Sequence, residues 1–186
     1  MDALDALLDI VELAGGKIAG RTTIQKIGYF STILGIVKTP YHAHYYGPYS
    51  ADIAETLEDL TAIGFLEKTV ETRYKWNLPV SPDWKRYIYQ ITDDGRTYLQ
   101  SIRASPDFVE EEKKLHDLVK TCKENAHLDP YILSWAAKVH FILKESGKTM
   151  DIEEVRKTAS NFNWDLSDEQ IERGIDLLLK LHLIKG

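Results

Sequence analysis

His42-Ala43-His44 places two imidazoles on one face of an extended segment, a spacing that suits a metal ion. Zinc needs three or four ligands, and His116, Cys122 and His127 complete no metal-binding spacing. These histidines therefore read as solvent-exposed or paired with tyrosines, and no metal is expected. Cys122 stands in a charged helical stretch without the surroundings of a nucleophilic thiol, and no serine occupies a nucleophile-elbow pattern. Gly15-Gly16-Lys17 and Gly20 lack phosphate-loop spacing. Glu110-Glu111-Glu112 reads as a solvated helix face. No catalytic residue and no cofactor is expected, so the chain reads as a binding protein and not an enzyme.

Two groups of residues could do the binding. Lys17, Arg21 and Lys26 cluster near one predicted helix; Arg73, Lys75, Lys85 and Arg86 alternate with Tyr74, Trp76 and Trp84 further on. Cations interleaved with aromatics suit phosphate and base contact. Trp, Tyr and Arg are also the favoured anchors of protein interfaces. A bland arrangement would pack the aromatics on the domain and pair the cations with Glu71 and Asp83. Against nucleic acid stands Asp52-x-x-Glu55-x-x-Glu58-Asp59, which carries no Lys or Arg before Lys68. Carboxylates facing duplex phosphates are repelled.

The elements that must position these residues are legible from periodicity. Leu4, Leu7, Leu8 and Val11 predict a helix over Ala3 to Ala14, ended by Gly15-Gly16. Ile24, Ile27, Phe30 and Ile33 or Leu34 predict a second, from about Thr22 to Leu34. Ile36 to Tyr46 reads as a loop with a short extended piece. Gly47-Pro48-Tyr49-Ser50 is turn chemistry with Ser50 as an N-cap. The third helix keeps Ile53, Leu57 and Leu60 on one stripe and ends at Gly64. Phe65 to Val70 and Tyr87 to Ile91 predict antiparallel strands, joined by a long tip containing Pro79 and Pro82. A helix including Tyr98, Leu99 and Ile102 follows Thr92.

Helix, helix, helix, strand, strand, helix is the order of a winged helix-turn-helix, with the third helix as recognition helix and the hairpin as wing. The expected fold is thus mainly α: a winged-helix domain over residues 1–104, a linking helix over 105–128, and a helical C-terminal domain over 129–186. In the last segment, helices are expected over Ile132 to Lys144, near Ile152 to Ala159, and after a cap at Ser167. Ile175 to Gly186 repeats the helix-into-short-apolar-strand plan of Leu57 to Lys68. The repeat is weak; it fits a second, wingless helix-turn-helix, or two ordinary amphipathic helices.

Arg21-Thr22-Thr23-Ile24-Gln25-Lys26-Ile27 resembles an arginine–threonine–x–leucine–glutamine–lysine motif. Tyr46-Gly47-Pro48-Tyr49-Ser50, with Leu57, Leu60, Gly64 and Leu66, resembles the block that follows it. Together, over about residues 3 to 70, the chain resembles poorly characterised prokaryotic winged-helix proteins related to the Panacea-type antitoxin domain. The resemblance implies a winged helix and control of a protein partner, and no functional residues to carry over. The motif residues also have a structural reading. Gly47 and Pro48 set a turn, Thr22 and Ser50 cap helices, and Gln25 and Lys26 bond to nearby backbone or carboxylates.

A net charge of −6 on 186 residues argues against a surface-wide nucleic-acid cradle, while leaving room for a local basic face. Hydrophobic content of 44% and charged content of 28% are those of a globular protein. The acidic start Met1-Asp2-Ala3-Leu4-Asp5 is unlike a secretory signal, no apolar run is long enough to span a membrane, and a single cysteine forms no internal disulfide. A cytoplasmic regulatory or adaptor module acting through protein contacts, antitoxin-like or a complex subunit, with itself as a further partner, is the leading expectation. The alternative is a dimeric DNA-binding transcription regulator that approaches DNA through its wings. The candidate partner-binding residues are Arg21, Lys26, Asp52, Glu55, Asp59, Arg73, Lys75, Trp76, Trp84, Lys85 and Arg86.

Overall fold

A computed structural model describes residues 1–73 and 84–185. Among them are eight α-helices and one three-stranded antiparallel sheet. The protein is mainly helical, as its periodicity predicts.

Helix α1 (Ala3–Leu13) starts at Asp2, whose carboxylate accepts the Asp5 N–H, and buries Leu7, Leu8, Ile10 and Val11 completely. Gly15 and Gly16 then turn the chain with φ of 111° and 80°, a region only glycine enters without strain. The turn delivers strand β1 (Lys17–Ala19), which periodicity could not reveal because three residues show no alternation. Helix α2 (Arg21–Ile33) follows, then the loop to Ser50, whose hydroxyl caps helix α3 (Ala51–Ala62). The extended piece expected in that loop is a single bridge between His42 and Tyr49.

Strands β2 (Leu66–Arg73) and β3 (Trp84–Ile91) are longer than the expected pair, and β3 lies between β1 and β2. Ile18 pairs with Tyr89 on one side of β3, and Val70 with Tyr87 on the other. The expected hairpin tip, with Pro79 and Pro82, lies outside the described residues. Helix α4 (Asp93–Ile102) is capped by the Thr92 hydroxyl, which also donates to the carbonyls of Gly64 and Phe65 and so locks α4 onto the start of β2.

Helix α5 (Pro106–Ala126) begins at Pro106, because proline, a break inside a helix, is well suited to its first turn. The same rule places Pro130 at the head of helix α6 (Pro130–Ser146). Helices α7 (Ile152–Ser160) and α8 (Asp168–Lys180) each open with a reciprocal capping box, Asp151 with Glu154 and Ser167 with Gln170. Among the described residues, no strand follows α8. Leu183 and Ile184 lie in a bend, half-buried against the core, which corrects the expected helix-to-strand repeat.

Helix α2 is the pivot of the packing. Every residue from Thr23 to Ser31 is buried, polar ones included. An amphipathic helix on a domain surface would bury one stripe. Here α1 and α3 cover one side of α2, while α5 and α6 cover the other. Side-chain hydrogen bonds join the two halves. Thr23 donates to the Leu128 carbonyl (3.2 Å), and the Tyr29 hydroxyl meets His140 Nδ1 (2.9 Å). The neighbouring loop is tied down likewise: Ser134 donates to the Tyr46 carbonyl (2.6 Å) and Trp164 Nε1 to the His44 carbonyl (2.7 Å).

Candidate functional site

The two motifs of the N-terminal segment meet inside the molecule. Gln25 Nε2 donates to the Ser50 carbonyl (2.8 Å), and the Ser50 N–H donates back to Gln25 Oε1 (3.0 Å). Lys26 Nζ donates to the Pro48 carbonyl (2.6 Å). A helix thus clamps the turn that launches the next helix. Lys26 is 2% exposed, so it is no part of a surface cluster with Lys17 and Arg21, and as a partner-contacting cation it is corrected. Burial, with Lys138 nearby, pushes its ammonium down to about 7. Thr22 does not cap α2 either; the N-cap is Gly20, with φ 103° and no side chain to offer.

The α3 face is acidic and exposed. Asp52, Glu55, Glu58 and Asp59 all face solvent, because Ile53, Leu57 and Leu60 take the buried stripe. Asp52 has a local reason to be there, since a carboxylate in the first turn complements the helix dipole; it also accepts from the Thr39 hydroxyl (3.1 Å). Glu58 draws in the nearest cations, Arg21 Nη2 at 2.8 Å and Lys68 Nζ at 2.7 Å. Arg21 also donates to the Tyr89 hydroxyl (3.3 Å) and lies over the Tyr87 ring. That hydroxyl, with the Glu58 charge, holds the guanidinium above its usual range. Glu55 and Asp59 carry their charge into water.

The hairpin cations are placed only in part. Arg73 and Trp84 are register partners at the outer end of the described hairpin, Lys85 lies opposite Thr72, and Lys75 and Trp76 lie outside the described residues. Arg86 turns back onto the sheet edge, donating to the Ala19 carbonyl (3.2 Å). Together with Arg21 it borders a cleft of about 580 Å³. The opposite walls are the Tyr45-Tyr46 loop, the start of α6 with Tyr131, Trp135 and Lys138, and the turn carrying Asn163 and Asp165. Sequence reasoning missed this cleft. Its one local sign is the doubled tyrosine before Gly47-Pro48; the α6 residues reach it only through the packing of α6 on α2.

The residues weighed for chemistry sit otherwise. The His44 ring packs beside Tyr49 (5.1 Å between centroids). No group of three or more metal-ligating side chains gathers among the described residues. Cys122 is fully buried and its thiol is pushed up to about 12 by that burial, the reverse of a thiolate nucleophile. No helix among the described residues is long and apolar enough to cross a membrane.

No family model matches the chain. It is similar to the uncharacterized protein YwgA of Bacillus subtilis (strain 168), with 29% identity over 85 residues. The likeness takes in 45% of this chain and 46% of that protein, so the chain spans less than half the length of the relative it matches.

Proposed function

We propose that residues 3–91 form a winged helix used as a protein-binding regulatory or adaptor module. The order α1-β1-α2-α3-β2-β3, with β1 closing the hairpin into a three-stranded sheet, supports the winged-helix reading. The observation that carries the functional reading is the exposed face of α3. Four carboxylates occupy the face that a DNA reader would press into the major groove, and the cations nearest to it are engaged by Glu58. Charge of this sign steers a basic protein surface toward it and phosphates away. The resemblance to Panacea-related proteins points the same way. The module acts by binding, and no residue in it is assigned a catalytic role.

The deciding experiment reverses the face. Asp52→Lys, Glu55→Lys and Asp59→Lys, combined, should abolish capture of the partner recovered by nuclease-treated affinity purification, and should raise nonspecific DNA affinity. The native protein should not shift genomic DNA fragments at about 0.15 M salt, where exposed charges are screened beyond about 8 Å. A sequence-selective shift under those conditions would make the protein a DNA-binding regulator. It would have to fall with salt at about −0.9 per phosphate on a log–log plot and vanish on changing Arg73, Lys75, Lys85 and Arg86 to Ala.

A further inference from the structure

Exposed aromatic side chains are scattered singly on most surfaces. Here Tyr45, Tyr46 and Tyr131 are the exposed tyrosines among the described residues, at 70%, 56% and 62%, and all three line the same 580 Å³ cleft. Half-buried Trp135 and Tyr87 add two more rings to its walls. Concentration of these tyrosine rings at one concavity suits a ligand with a planar face.

The polar lining is equally specific. Arg86 donates to the Ala19 carbonyl, and Lys138 lies over the Trp164 ring. Two cations thus line the cleft. Of the two acids present, Asp129 is occupied at the head of α6, accepting the N–H groups of Tyr131 and Ile132 (2.8 and 3.1 Å), which leaves Asp165. Asn163 brings a carboxamide, both donor and acceptor, to the same rim. The volume is that of a small-molecule site and holds one ligand, not an extended strand.

We propose that this cleft binds a free mononucleotide, its base against the tyrosine rings and its phosphate held by Arg86 and Lys138. The site shares no residue with the acidic face of α3 and stands or falls separately from the protein-binding reading. It would place a small-molecule signal between the sheet and α6.

Calorimetric titration of the full chain with each of the four ribonucleoside 5′-monophosphates tests it. At least one should bind with Kd below about 1 mM, and its nucleoside and inorganic phosphate should each bind at least about tenfold more weakly. Tyr131→Ala and Lys138→Gln should each weaken binding by about tenfold or more, and Tyr131→Phe, which keeps the ring, should bind as the native chain does. Far-UV circular dichroism identifies any variant that fails to fold. The Asp52, Glu55 and Asp59 reversal should retain nucleotide binding. Absence of binding at about 5 mM, equal affinity for inorganic phosphate, or affinity unchanged in folded Tyr131→Ala and Lys138→Gln would each overturn the proposal. Tighter binding of a 5′-phosphorylated tetranucleotide would overturn it in favour of a strand-end site.

Discussion

The side chain of Gln25 satisfies both backbone groups of Ser50, taking its N–H at 3.0 Å and supplying a donor to its carbonyl at 2.8 Å. Both residues are buried, so neither bond has water as a substitute. Leaving one buried polar group unpaired costs about 1–3 kcal/mol. Gln25→Ala should therefore lower unfolding free energy by roughly 1–3 kcal/mol, from the orphaned Ser50 N–H, since the Ser50 carbonyl still accepts the Ala54 N–H at 3.3 Å. Chemical denaturation checks this; a loss below about 1 kcal/mol would mean the clamp is not what orders the turn before α3.

Lys26 gives the protein a measurable alkaline signature. Its ordinary value is 10.5 and the fold holds it down to about 7, because burial disfavours the ammonium. Between those values the unfolded chain binds the extra proton, so stability should rise with pH across the window and be lost as pH falls through 7. Lys26→Met should flatten the rise. At neutral pH it should gain about 1–3 kcal/mol, the removed burial cost being partly offset by the abandoned Pro48 carbonyl. Denaturant midpoints from pH 7 to 9.5 read the slope.

On the acid side two groups oppose each other. His140, against Tyr29, is pushed down by burial to about 4, so its contribution is present above pH 6.5 and lost as pH falls toward 4. Asp9 is fully buried with Oδ2 unpaired, and burial raises it to about 6 even though Arg103 donates to its other oxygen at 2.7 Å. Its contribution has the opposite sign: present below 3.8 and lost as pH rises through 6. Asp9→Asn should stabilise at pH 7.5 by about 1–3 kcal/mol and expose the His140 acid slope that Asp9 masks. Proton NMR should show the His140 ring titrating near pH 4.

Gly95 marks a contact with no spare space. A Cβ there would lie 2.5 Å from the Phe65 carbonyl oxygen and 3.0 Å from Ile91 Cγ1. Alanine is the better helix former by about 1 kcal/mol, yet backbone cannot yield as a side chain can. Gly95→Ala should be net destabilising by about 1–3 kcal/mol, the usual range for overpacking. Thermal melting compared with Gly64→Ala, a positive-φ site with open space around it, separates crowding from backbone strain.

The sequence makes α3 legible because it has one buried face, which Ile53, Leu57 and Leu60 advertise at helical spacing. It hides the burial of α2. Gln25 and Lys26 look like surface residues; their partners, Ser50 and Pro48, stand 25 and 22 positions away. The acidic face of α3 is readable as a list of carboxylates, whereas its neutralisation at Glu58 by Arg21 and Lys68 is a matter of tertiary placement. The cleft is hidden for the same reason, since Tyr45 and Tyr131 share no local pattern.

The double-sided burial of α2 also bears on how the protein is born. Chains fold from the N-terminus as they are synthesised. When residues up to Ile102 have emerged, Thr23, Tyr29 and the carbonyls of His44 and Tyr46 still await Leu128, His140, Trp164 and Ser134. The nascent segment emerges with one flank of its central helix unsealed, and that flank is complete only after Trp164 leaves the ribosome. Over that interval of translation the flank exposes side chains, Thr23 and Tyr29 among them, that the finished fold buries.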